Sequence, residues 1–316
     1  MSPSGSKPHT TPHLAAIESL FGPLPPNDIS INVQLAHEII RPDHVLSLWH
    51  VTTESASGLN WWLHIAWPAN KPYCPVLLSP DGCWPHVVNN QALQVCIKAG
   101  VALAWFNRIE LAYDRPDGIR KGPVHSHWPD TAWSATSIWA WGIQRSVDVL
   151  QRLSQLNKMS IGVIGHSRGG KAVLIAGALD KRIDFTIAHN SGTGGSASLQ
   201  VEATGAESLK QLQAAYPHWL RPELACNDVQ QAIVDNNAPQ QWLRAIAPRG
   251  LCILQACDDL WAHPQGTRHM VQLLRPFWTE FPDRLQLMER NGGHSITPLD
   301  WQRAVDFVHN TSEEKV

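Results

Sequence analysis

The order of hydrophobic and polar positions predicts a chain in which strands and helices alternate. Residues 45–52 and 60–67 alternate or run apolar, which predicts two antiparallel strands joined by a Ser/Gly turn. A short helix is predicted at 13–21, and it ends where the prolines of the segment LFGPLPP begin. The N-terminal part of the chain is therefore expected to supply an antiparallel sheet edge.

Further along the chain, short apolar runs alternate with segments of helical periodicity. The longest predicted helix spans 133–156, and Thr297 with Pro298 behind it marks the start of a final helix. Strands in parallel sheets that are buried on both faces read as apolar runs. The pattern therefore predicts a three-layer αβα sandwich with a mostly parallel sheet. Its strands are predicted at 75–79, 101–106, 161–164, 185–188, 251–255 and 285–289.

Residues 191–235 interrupt this alternation with a Gly/Ser run, SGTGGSAS, and a segment that contains tryptophan. Connections of that length are usually functional, so we interpret them as an insertion over the carboxyl end of the sheet. Residues 1–12 are rich in Ser, Pro and Thr and are predicted to form a disordered tail. The predicted organisation is thus this tail followed by a single domain at 13–316.

Composition and charge exclude several classes of protein. The chain has 316 residues, of which 43% are hydrophobic, enough for a sizeable core. Its net charge of −2 is not that of a nucleic-acid binder or of a protein held on acidic lipid. No run of about 18 apolar residues predicts a membrane span. The first 30 residues lack the pattern of a secretory signal peptide, so we expect a cytoplasmic location.

Tryptophan is the unusual entry in the composition, with 15 Trp against 6 Phe and 3 Tyr. A Trp-rich core explains this excess most simply, and flat surfaces on which sugar rings stack are the alternative. The six cysteines show no CxxC pair or zinc spacing, so we expect reduced thiols. His125 and His127 form an H-x-H, but no spacing of further ligands completes a site, and we expect neither a metal nor a cofactor.

Residues 161–170, IGVIGHSRGG, contain the pattern G-x-S-x-G around Ser167. An apolar strand precedes the pattern and a helix follows it. This context predicts a sharp, strained turn that exposes the serine Oγ at the edge of the sheet. The start of the helix favours negative charge there. Ser167 is therefore the predicted nucleophile, and an inert serine in a glycine-rich turn is the alternative.

A nucleophilic serine needs a positioned base, and such sites place serine, acid and histidine in that order along the chain. The last predicted strand leads into the segment NGGH, which ends at His294. His294 is therefore the predicted base. The strand before it leads into Asp258 and Asp259, and both are placed to orient an imidazole. Of the two, Asp258 is the one more easily explained as the cap of the following turn.

These motifs resemble the glucuronoyl esterases, carbohydrate esterase family 15, within the α/β-hydrolase superfamily. The similar segments include GVIGHSRGGKAVLIAGALDKRIDFTIAHNSGTGG at 162–195, IAPRG at 246–250 and DDLWAHPQGTR at 258–268. The resemblance implies an α/β-hydrolase catalytic domain without a cofactor. The family cleaves esters of 4-O-methyl-glucuronic acid that link xylan side chains to lignin alcohols. The expected partner is accordingly a carbohydrate ester or a small ester.

The resemblance also assigns roles to residues around the expected nucleophile and base. Arg168 looks like the arginine with which the family stabilises the oxyanion. Lys171 matches a lysine that contacts sugar hydroxyls, and Trp261 matches a tryptophan that lines the sugar site. Trp219 is expected in the covering segment above that site.

The chain departs from the family at three positions. Many members carry the acid immediately before the SG(A/T)GG run, where this chain has Asn190. Some bacterial members carry it in a later D-x-W motif, which Asp259 matches, so Asp259 is the expected acid. Fungal members have a sugar-binding glutamate three residues before the covering tryptophan, where this chain has Tyr216. They also have a cysteine in the place of His166, and its absence fits a reduced compartment.

The sequence thus predicts a serine carboxylic-ester hydrolase of the glucuronoyl esterase type. Two alternatives stay open. One is an esterase of the same fold that acts on acetylated sugars or a small intracellular ester. The other is a catalytically silent hydrolase fold that serves in binding, which the replacement of the usual acid by Asn190 motivates. The sequence gives no indication of the oligomeric state.

Overall fold

The computed structural model describes residues 11–54, 58–71, 73–88, 90–115, 117–129, 131–153 and 160–311. The disorder predicted for the N-terminal tail concerns mainly residues outside these ranges. Within them, Pro12 already begins the first helix. The last residues of the helix predicted at 133–156 also lie outside the described part.

Within the described residues, nine strands form one sheet in the order β1-β2-β3-β5-β4-β6-β7-β8-β9. The first four neighbours in that order pair antiparallel, and every pair from β5 through β4 to β9 is parallel. The predicted fold, a mostly parallel sheet with an antiparallel N-terminal edge, is confirmed. The strands are β1 (Ile31–Ile40), β2 (His44–Thr53), β3 (Asn60–Pro68), β4 (Val76–Ser79), β5 (Ala102–Phe106), β6 (Ile161–His166), β7 (Phe185–His189), β8 (Gly250–Ala256) and β9 (Leu285–Arg290).

Strand β1 was not predicted from the sequence, and its surroundings explain why. It is the edge strand, and most of its side chains are exposed, with Ile31 the one fully buried residue. A bulge between Leu35 and His37 shifts its register against β2. Ile31, Val33 and Leu35 alternate with polar residues as in a half-buried strand, but the alternation ends at the bulge after five residues, so the signal is short.

Helices cover both faces of the sheet. One core lies between the sheet and α1, α5 and α6, and a second lies between the sheet and α3 and α11. The α-helices of the described residues are α1 (Pro12–Phe21), α2 (Pro85–Val88), α3 (Asn90–Ala99), α4 (Pro123–His127), α5 (Ala135–Arg152), α6 (Arg168–Leu179), α7 (Leu209–Ala215), α8 (Asn227–Asp235), α9 (Ala238–Leu243), α10 (Pro264–Leu274) and α11 (Pro298–Thr311).

The tryptophan excess serves mainly the core. Among the largest fully buried side chains are five tryptophans. Three of their indole N–H groups donate to backbone carbonyls, as in Trp139, which donates to Ala112 at 3.0 Å, and two have no hydrogen-bond partner among the described residues. Three others are exposed on the surface. The buried five are Trp61, Trp139, Trp141, Trp242 and Trp278, and the exposed three are Trp62, Trp84 and Trp261.

Residues 191–235 contain more regular structure than the sequence predicts. They include α7, α8 and two short 3₁₀ turns. The N-terminus of α7 is closed by a capping box, in which Ser208 accepts from the backbone of Gln211 and the Gln211 side chain accepts in return. Such a box stabilises even a short helix. The segment packs beside the carboxyl ends of the parallel strands, where its Trp219 lies under the guanidinium of Arg168.

Two further findings concern expectations from composition. No helix within the described ranges is long and apolar enough to cross a membrane. Each of the six cysteines is unpaired. Burial raises the pKa of Cys96 to about 12, which keeps this thiol protonated and unreactive.

Candidate active site

Ser167 lies on a strained turn between β6 and α6. Its φ of 54° and ψ of −118° are rare for a residue with a side chain. Its backbone N–H donates to the carbonyl of His189 at 2.8 Å. This bond ties the turn to the end of β7. The serine therefore stands at the carboxyl edge of the sheet, as the sequence predicts.

The glycines of the G-x-S-x-G pattern are required by close contacts around this turn. A Cβ on Gly165 would lie 2.3 Å from the carbonyl oxygen of Gly169. A Cβ on Gly169 would lie 2.2 Å from Oδ1 of Asp81. The same carboxylate accepts the backbone N–H of His166 at 2.7 Å. The turn is thus compact because a buried carboxylate occupies the space where side chains would stand.

The predicted base and one of its two candidate acids are in direct contact. Nδ1 of His294 lies 2.5 Å from Oδ2 of Asp259. A proton on Nδ1 that points to this carboxylate leaves Nε2 free to accept one. Asp258 instead accepts the backbone N–H of Gly292 at 2.6 Å, which holds the loop before the histidine. The geometry therefore separates the two aspartates, which the sequence left as alternatives.

Asn190, where many members of the resembling family carry the acid, contacts the predicted acid Asp259. Its Nδ2 donates to Oδ2 of Asp259 at 2.9 Å and to the carbonyl of His294 at 3.3 Å. Its Oδ1 accepts the backbone N–H of Ala256 at 2.8 Å. An amide cannot stabilise an imidazolium by charge, but this one fixes the carboxylate that can.

Ser167 and His294 open onto the same cavity, which has a volume of about 350 Å³. Arg168 contributes to its lining, so the nucleophile, the base and the expected oxyanion donor share one space. Trp84 and Ile296 form an apolar wall of the same cavity. The side chains of Ser167, Arg168 and His294 therefore line one and the same cavity.

Arg168 is held at the cavity by one carboxylate and by aromatic rings. Its Nη1 donates to Oδ2 of Asp114 at 2.8 Å. Its guanidinium carbon lies 4.5 Å from the ring centre of Trp219 and 5.5 Å from that of Tyr216. Cations over aromatic faces at such distances are attracted to the ring. The guanidinium is therefore fixed in position while part of it stays open to the cavity.

Asp114 stays negatively charged despite its burial. Burial alone would raise the pKa of Asp114, but the hydrogen bond from His218 and the charge of Arg168 hold it well below the usual range. Its Oδ1 accepts from Nε2 of His218 at 3.1 Å and from Nε1 of Trp219 at 2.9 Å. The carboxylate is thus a permanent counter-charge for the arginine.

A fully buried arginine connects this carboxylate to the serine turn. Arg108 donates to Asp81, and its Nη2 lies 3.7 Å from Asp114. Asp81 in turn holds the backbone of His166, the residue before the nucleophile. Sequence reasoning missed these three charged residues. For Asp81 and Arg108 the available signal was their position two residues after β4 and β5, at the carboxyl ends where ligand sites form in such sheets.

The structure places two of the three predicted sugar-binding residues in the interior. Lys171 is 4% exposed and donates to the carbonyls of Ser191 and Thr193 at 2.5 and 2.7 Å. Burial lowers the pKa of Lys171 to about 8. Trp219 is 3% exposed and packs under Arg168. Direct sugar contact by Lys171 and Trp219 stays a prediction, and their burial argues against it.

Trp261 remains available for a ligand, with 47% of its surface exposed. Its carbonyl accepts the backbone N–H of Glu207 at 3.2 Å. Glu207 is buried near Lys171, and burial raises the pKa of its carboxyl group. Its Oε1 has no hydrogen-bond partner among the described residues. No motif pointed to Glu207. Tyr216, which stands where fungal members have a glutamate, stacks its ring on that of Trp219 with 3.8 Å between the ring centres.

Metal ligation has no candidate in the ranges that the structure describes, since no group of three or more His, Cys, Asp or Glu is arranged to hold an ion. His125, from the H-x-H pair, has its Nε2 3.1 Å from the carbonyl of Trp133. That contact gives this ring a structural role in the turn before α5.

Comparison with known proteins identifies relatives along most of the chain. A family model described as "Glucuronyl esterase, fungi" matches residues 64–281. A curated relative, the 4-O-methyl-glucuronoyl methylesterase of Cerrena unicolor, is 28% identical over 224 residues, which cover 68% of this chain and 45% of the relative. The chain therefore spans about half the length of the curated relatives that it matches.

Solved structures share the fold. A glucuronoyl esterase from Solibacter usitatus superposes with a TM-score of 0.78 at 23% identity, covering 95% of this chain and 91% of that one. A variant of the glucuronoyl esterase from Sporotrichum thermophile, in complex with methyl 4-O-methyl-β-D-glucopyranuronate, gives a TM-score of 0.69 at 20% identity. That match covers 94% of this chain and 79% of the other.

Proposed function

Because the chain belongs to the glucuronyl esterase family, we propose that it is a serine carboxylic-ester hydrolase that cleaves esters of glucuronic acid through an acyl-enzyme. The observation that carries the proposal is the single cavity that contains Ser167, His294 and Arg168, with Asp259 behind the histidine. These are the groups that acyl transfer requires: a nucleophile, an oriented base and a donor for the oxyanion.

In the acylation step, Nε2 of His294 takes the hydroxyl proton of Ser167 while Oγ attacks the ester carbonyl carbon. The imidazolium that forms is stabilised by the carboxylate of Asp259, which lies 2.5 Å from Nδ1. The imidazolium then gives its proton to the departing alcohol oxygen. The acyl group remains on Oγ as an ester.

The carbonyl oxygen carries the negative charge of the tetrahedral intermediate. Arg168 is suited to receive it because its guanidinium is already oriented by Asp114 and Trp219. The backbone N–H of the residue after the nucleophile is the usual second donor in this turn. Donors fixed before the reaction stabilise the oxyanion without reorganisation, and each contributes roughly 3–4 kcal/mol in studied enzymes.

Deacylation repeats these steps with a water molecule in place of the serine hydroxyl. His294 takes a proton from the water molecule, the hydroxide attacks the acyl carbonyl, and Oγ of Ser167 leaves with the proton that the imidazolium returns. The products are a free uronic acid and the starting enzyme. No other group is required by this balance.

The acid half of the ester is the part that the site is proposed to recognise. A structural neighbour was solved with methyl 4-O-methyl-β-D-glucopyranuronate, which supports a methyl uronate as substrate here. Trp261 offers an exposed aromatic face on which a sugar ring can stack. Glu207 lies behind it with an unpaired carboxylate oxygen.

A comparison of ester substrates tests the proposal. Benzyl glucuronate and p-nitrophenyl acetate are hydrolysed by the native protein, and each kcat/KM is divided by the rate constant for hydrolysis by hydroxide. The correction is needed because the two esters differ in intrinsic reactivity. We expect the larger enhancement for the glucuronate ester, and its abolition by Ser167→Ala.

The opposite results identify the alternatives. A larger enhancement for the acetate ester contradicts the proposed substrate class and supports an esterase of broader or different specificity. A failure of a fluorophosphonate probe to label Ser167 contradicts catalysis altogether and supports a silent binding protein.

A further inference from the structure

The ring of His166 lies directly beside the catalytic base. His166 is the last residue of β6, and its ring centre is 4.6 Å from that of His294, with the ring planes inclined by 53°. It also lines the cavity that contains Ser167. His294 is therefore contacted on two sides, by Asp259 through Nδ1 and by the His166 ring across its face.

A hydrogen bond to a second histidine fixes the His166 ring. The register of β6 and β7 places His166 opposite His189, and their Nδ1 atoms are 2.8 Å apart. Two imidazoles can bond in this way only when one Nδ1 carries a proton and the other does not. The contact therefore fixes both rings, and it allows the pair at most one additional proton.

His189 is anchored from behind by an ion pair. Its Nε2 lies 3.5 Å from Oδ2 of Asp300 and 3.5 Å from Nη2 of Arg290. The arginine Nε donates to both carboxylate oxygens of Asp300 at 2.9 Å. Burial lowers the pKa of His189, although Asp300 opposes this effect. The additional proton of the histidine pair is therefore expected on His166, at Nε2.

We propose that His166 is a positioning residue for the catalytic base His294, and that a proton on His166 disables this base. The proposal rests on the serine esterase function proposed above. His294 must be neutral to accept the Ser167 proton, and it becomes positive in the transition state. A positive charge on the adjacent ring opposes that change. The neutral ring, in contrast, holds the base in place.

The other groups around His166 do not replace it in this role. They include the buried carboxylate that accepts its backbone N–H at 2.7 Å, two permanently charged arginines and the acid behind the base. Histidine is the side chain that changes charge between pH 5 and 8, and His166 and His294 are the histidines that line the cavity. The surrounding groups are Asp81 after β4, Arg168 on α6, His189 on β7, Asp259 after β8, Arg290 on β9 and Asp300 on α11.

Two substitutions separate the positioning effect from the proton. His166→Asn keeps a polar atom near the place of Nδ1, where it can still bond to His189, but removes the ring and its charge. His166→Phe keeps a ring against His294 and removes both nitrogens. The matched control is His37→Asn, an exposed histidine on the edge strand β1. Thermal melts establish that each variant is folded.

The principal measurement is the rate at which a fluorophosphonate labels Ser167 between pH 5 and 9. Labelling needs an activated serine and no sugar. If the native protein is labelled but does not cleave glucuronate esters, the proposed substrate fails while this inference is still tested. The kcat and KM for benzyl glucuronate are measured in parallel.

We expect His166→Asn to lower the labelling rate at pH 8 by about tenfold, because a displaced base reacts more slowly. The parallel loss is expected in kcat, with KM unchanged. On the acid side, the midpoint of the labelling rate should move to lower pH. The reason is that a proton on either ring disables the native site, whereas only a proton on His294 disables the variant. His166→Phe should recover most of the rate at pH 8 and keep the lowered midpoint.

Two results would overturn the proposal. One is a labelling rate and an acid limb for His166→Asn that match those of the native protein and of His37→Asn. The other is an equal loss at every pH with the acid limb unchanged, which would give His166 a purely structural role.

Discussion

The two sides of Ser167 are built from different kinds of charge. On the oxyanion side, Arg108 and Arg168 alternate with the carboxylates Asp81 and Asp114, and all but Arg168 are largely buried. On the base side, the ring of His166 contacts those of His189 and His294. These two outer rings contact the carboxylates of Asp300 and Asp259, respectively. The first chain consists of guanidinium and carboxylate groups, whereas the second contains imidazoles, the side chains suited to change charge between pH 5 and 8.

The difference matches what each side must do. An oxyanion is stabilised best by donors that are fixed before the reaction, and Asp114 provides that fixation through Arg168. A base must gain and lose a proton in every cycle. The neighbours of His294 are compatible with this, because His166 is itself titratable and Asp259 lies behind the ring at Nδ1. Substitutions on the two sides are therefore expected to differ in their pH dependence.

The largest effect is expected at the nucleophile, which both sides serve. Ser167→Ala removes the atom that carries the acyl group, so kcat/KM for benzyl glucuronate should fall by about 10⁶-fold, as in other serine triads. The midpoint of thermal unfolding should change little, because alanine keeps the Cβ of serine and adds no strain to this backbone conformation. An activity loss of less than tenfold would show that another residue forms the covalent intermediate.

The next largest effect is expected at the acid on the base side. Asp259→Ala should lower kcat by about 10⁴-fold, because His294 loses the partner of its Nδ1 and the stabilisation of its charge. Asp258→Ala is the matched control and should stay within about threefold of native, since Asp258 bonds only to the loop backbone. The reverse order of these two losses would assign the acid to Asp258.

On the oxyanion side, Asp114→Asn should lower kcat by about tenfold to a hundredfold, because Arg168 loses its counter-charge. The fold-change should be the same at pH 6 and pH 9, since the pKa of Asp114 lies well below its usual range and the arginine keeps its charge. Asp117→Asn, in an exposed pair with Arg115, is the control. A loss that grows or shrinks across this range would contradict the division between the two sides.

The smallest effect on activity is expected for Asp300→Asn, which acts through His189 and His166. Its main effect is on stability, about 3 kcal/mol at neutral pH, because the buried Arg290 loses its partner. The hydrogen bond from His189 holds the pKa of Asp300 below its usual 3.8, against the effect of burial. The folded state thus binds this proton more weakly than the unfolded state. The contribution of the ionised Asp300 carboxylate to the free energy of unfolding is present above pH 3.8. It is lost as the pH falls through the pKa of Asp300 in the folded state.

Denaturant unfolding of the native protein and of Asp300→Asn, at pH 7 and at successively lower pH, measures this difference. The gap between the two free energies of unfolding should narrow below pH 3.8. A gap that widens toward acid pH would contradict the assignment of Asp300 as the buried anion of the base side.

The sequence predicts the base side better than the oxyanion side. Ser167, Asp259 and His294 follow the apolar strands β6, β8 and β9, and the known chain order of serine, acid and histidine predicts their roles. Asp81 and Asp114 also lie after strands, but their part in the site is recognised only from their contacts with Arg108. The burial of Arg108 depends on packing from several elements. No local pattern encodes that packing.

Two other features show the same limit. Strand β1 alternates between apolar and polar residues only up to Leu35, and its pairing with β2 continues beyond the bulge to Ile40. Lys171 has the position of a sugar ligand, yet the carbonyls of Ser191 and Thr193 close around its ammonium group. In both cases, contacts distant along the chain override what the local sequence indicates.

If Ser167 forms an ester with a glucuronoyl group, with His294 as its base and Arg168 as the oxyanion donor, that ester can be trapped on the protein. Rapid acid quench of the native protein with benzyl glucuronate, followed by peptide mass spectrometry, tests this most directly. We expect a glucuronoyl adduct on the peptide that contains Ser167, and neither an adduct nor turnover in Ser167→Ala. Turnover by Ser167→Ala at the native rate, or an adduct on a different residue, would contradict the proposal.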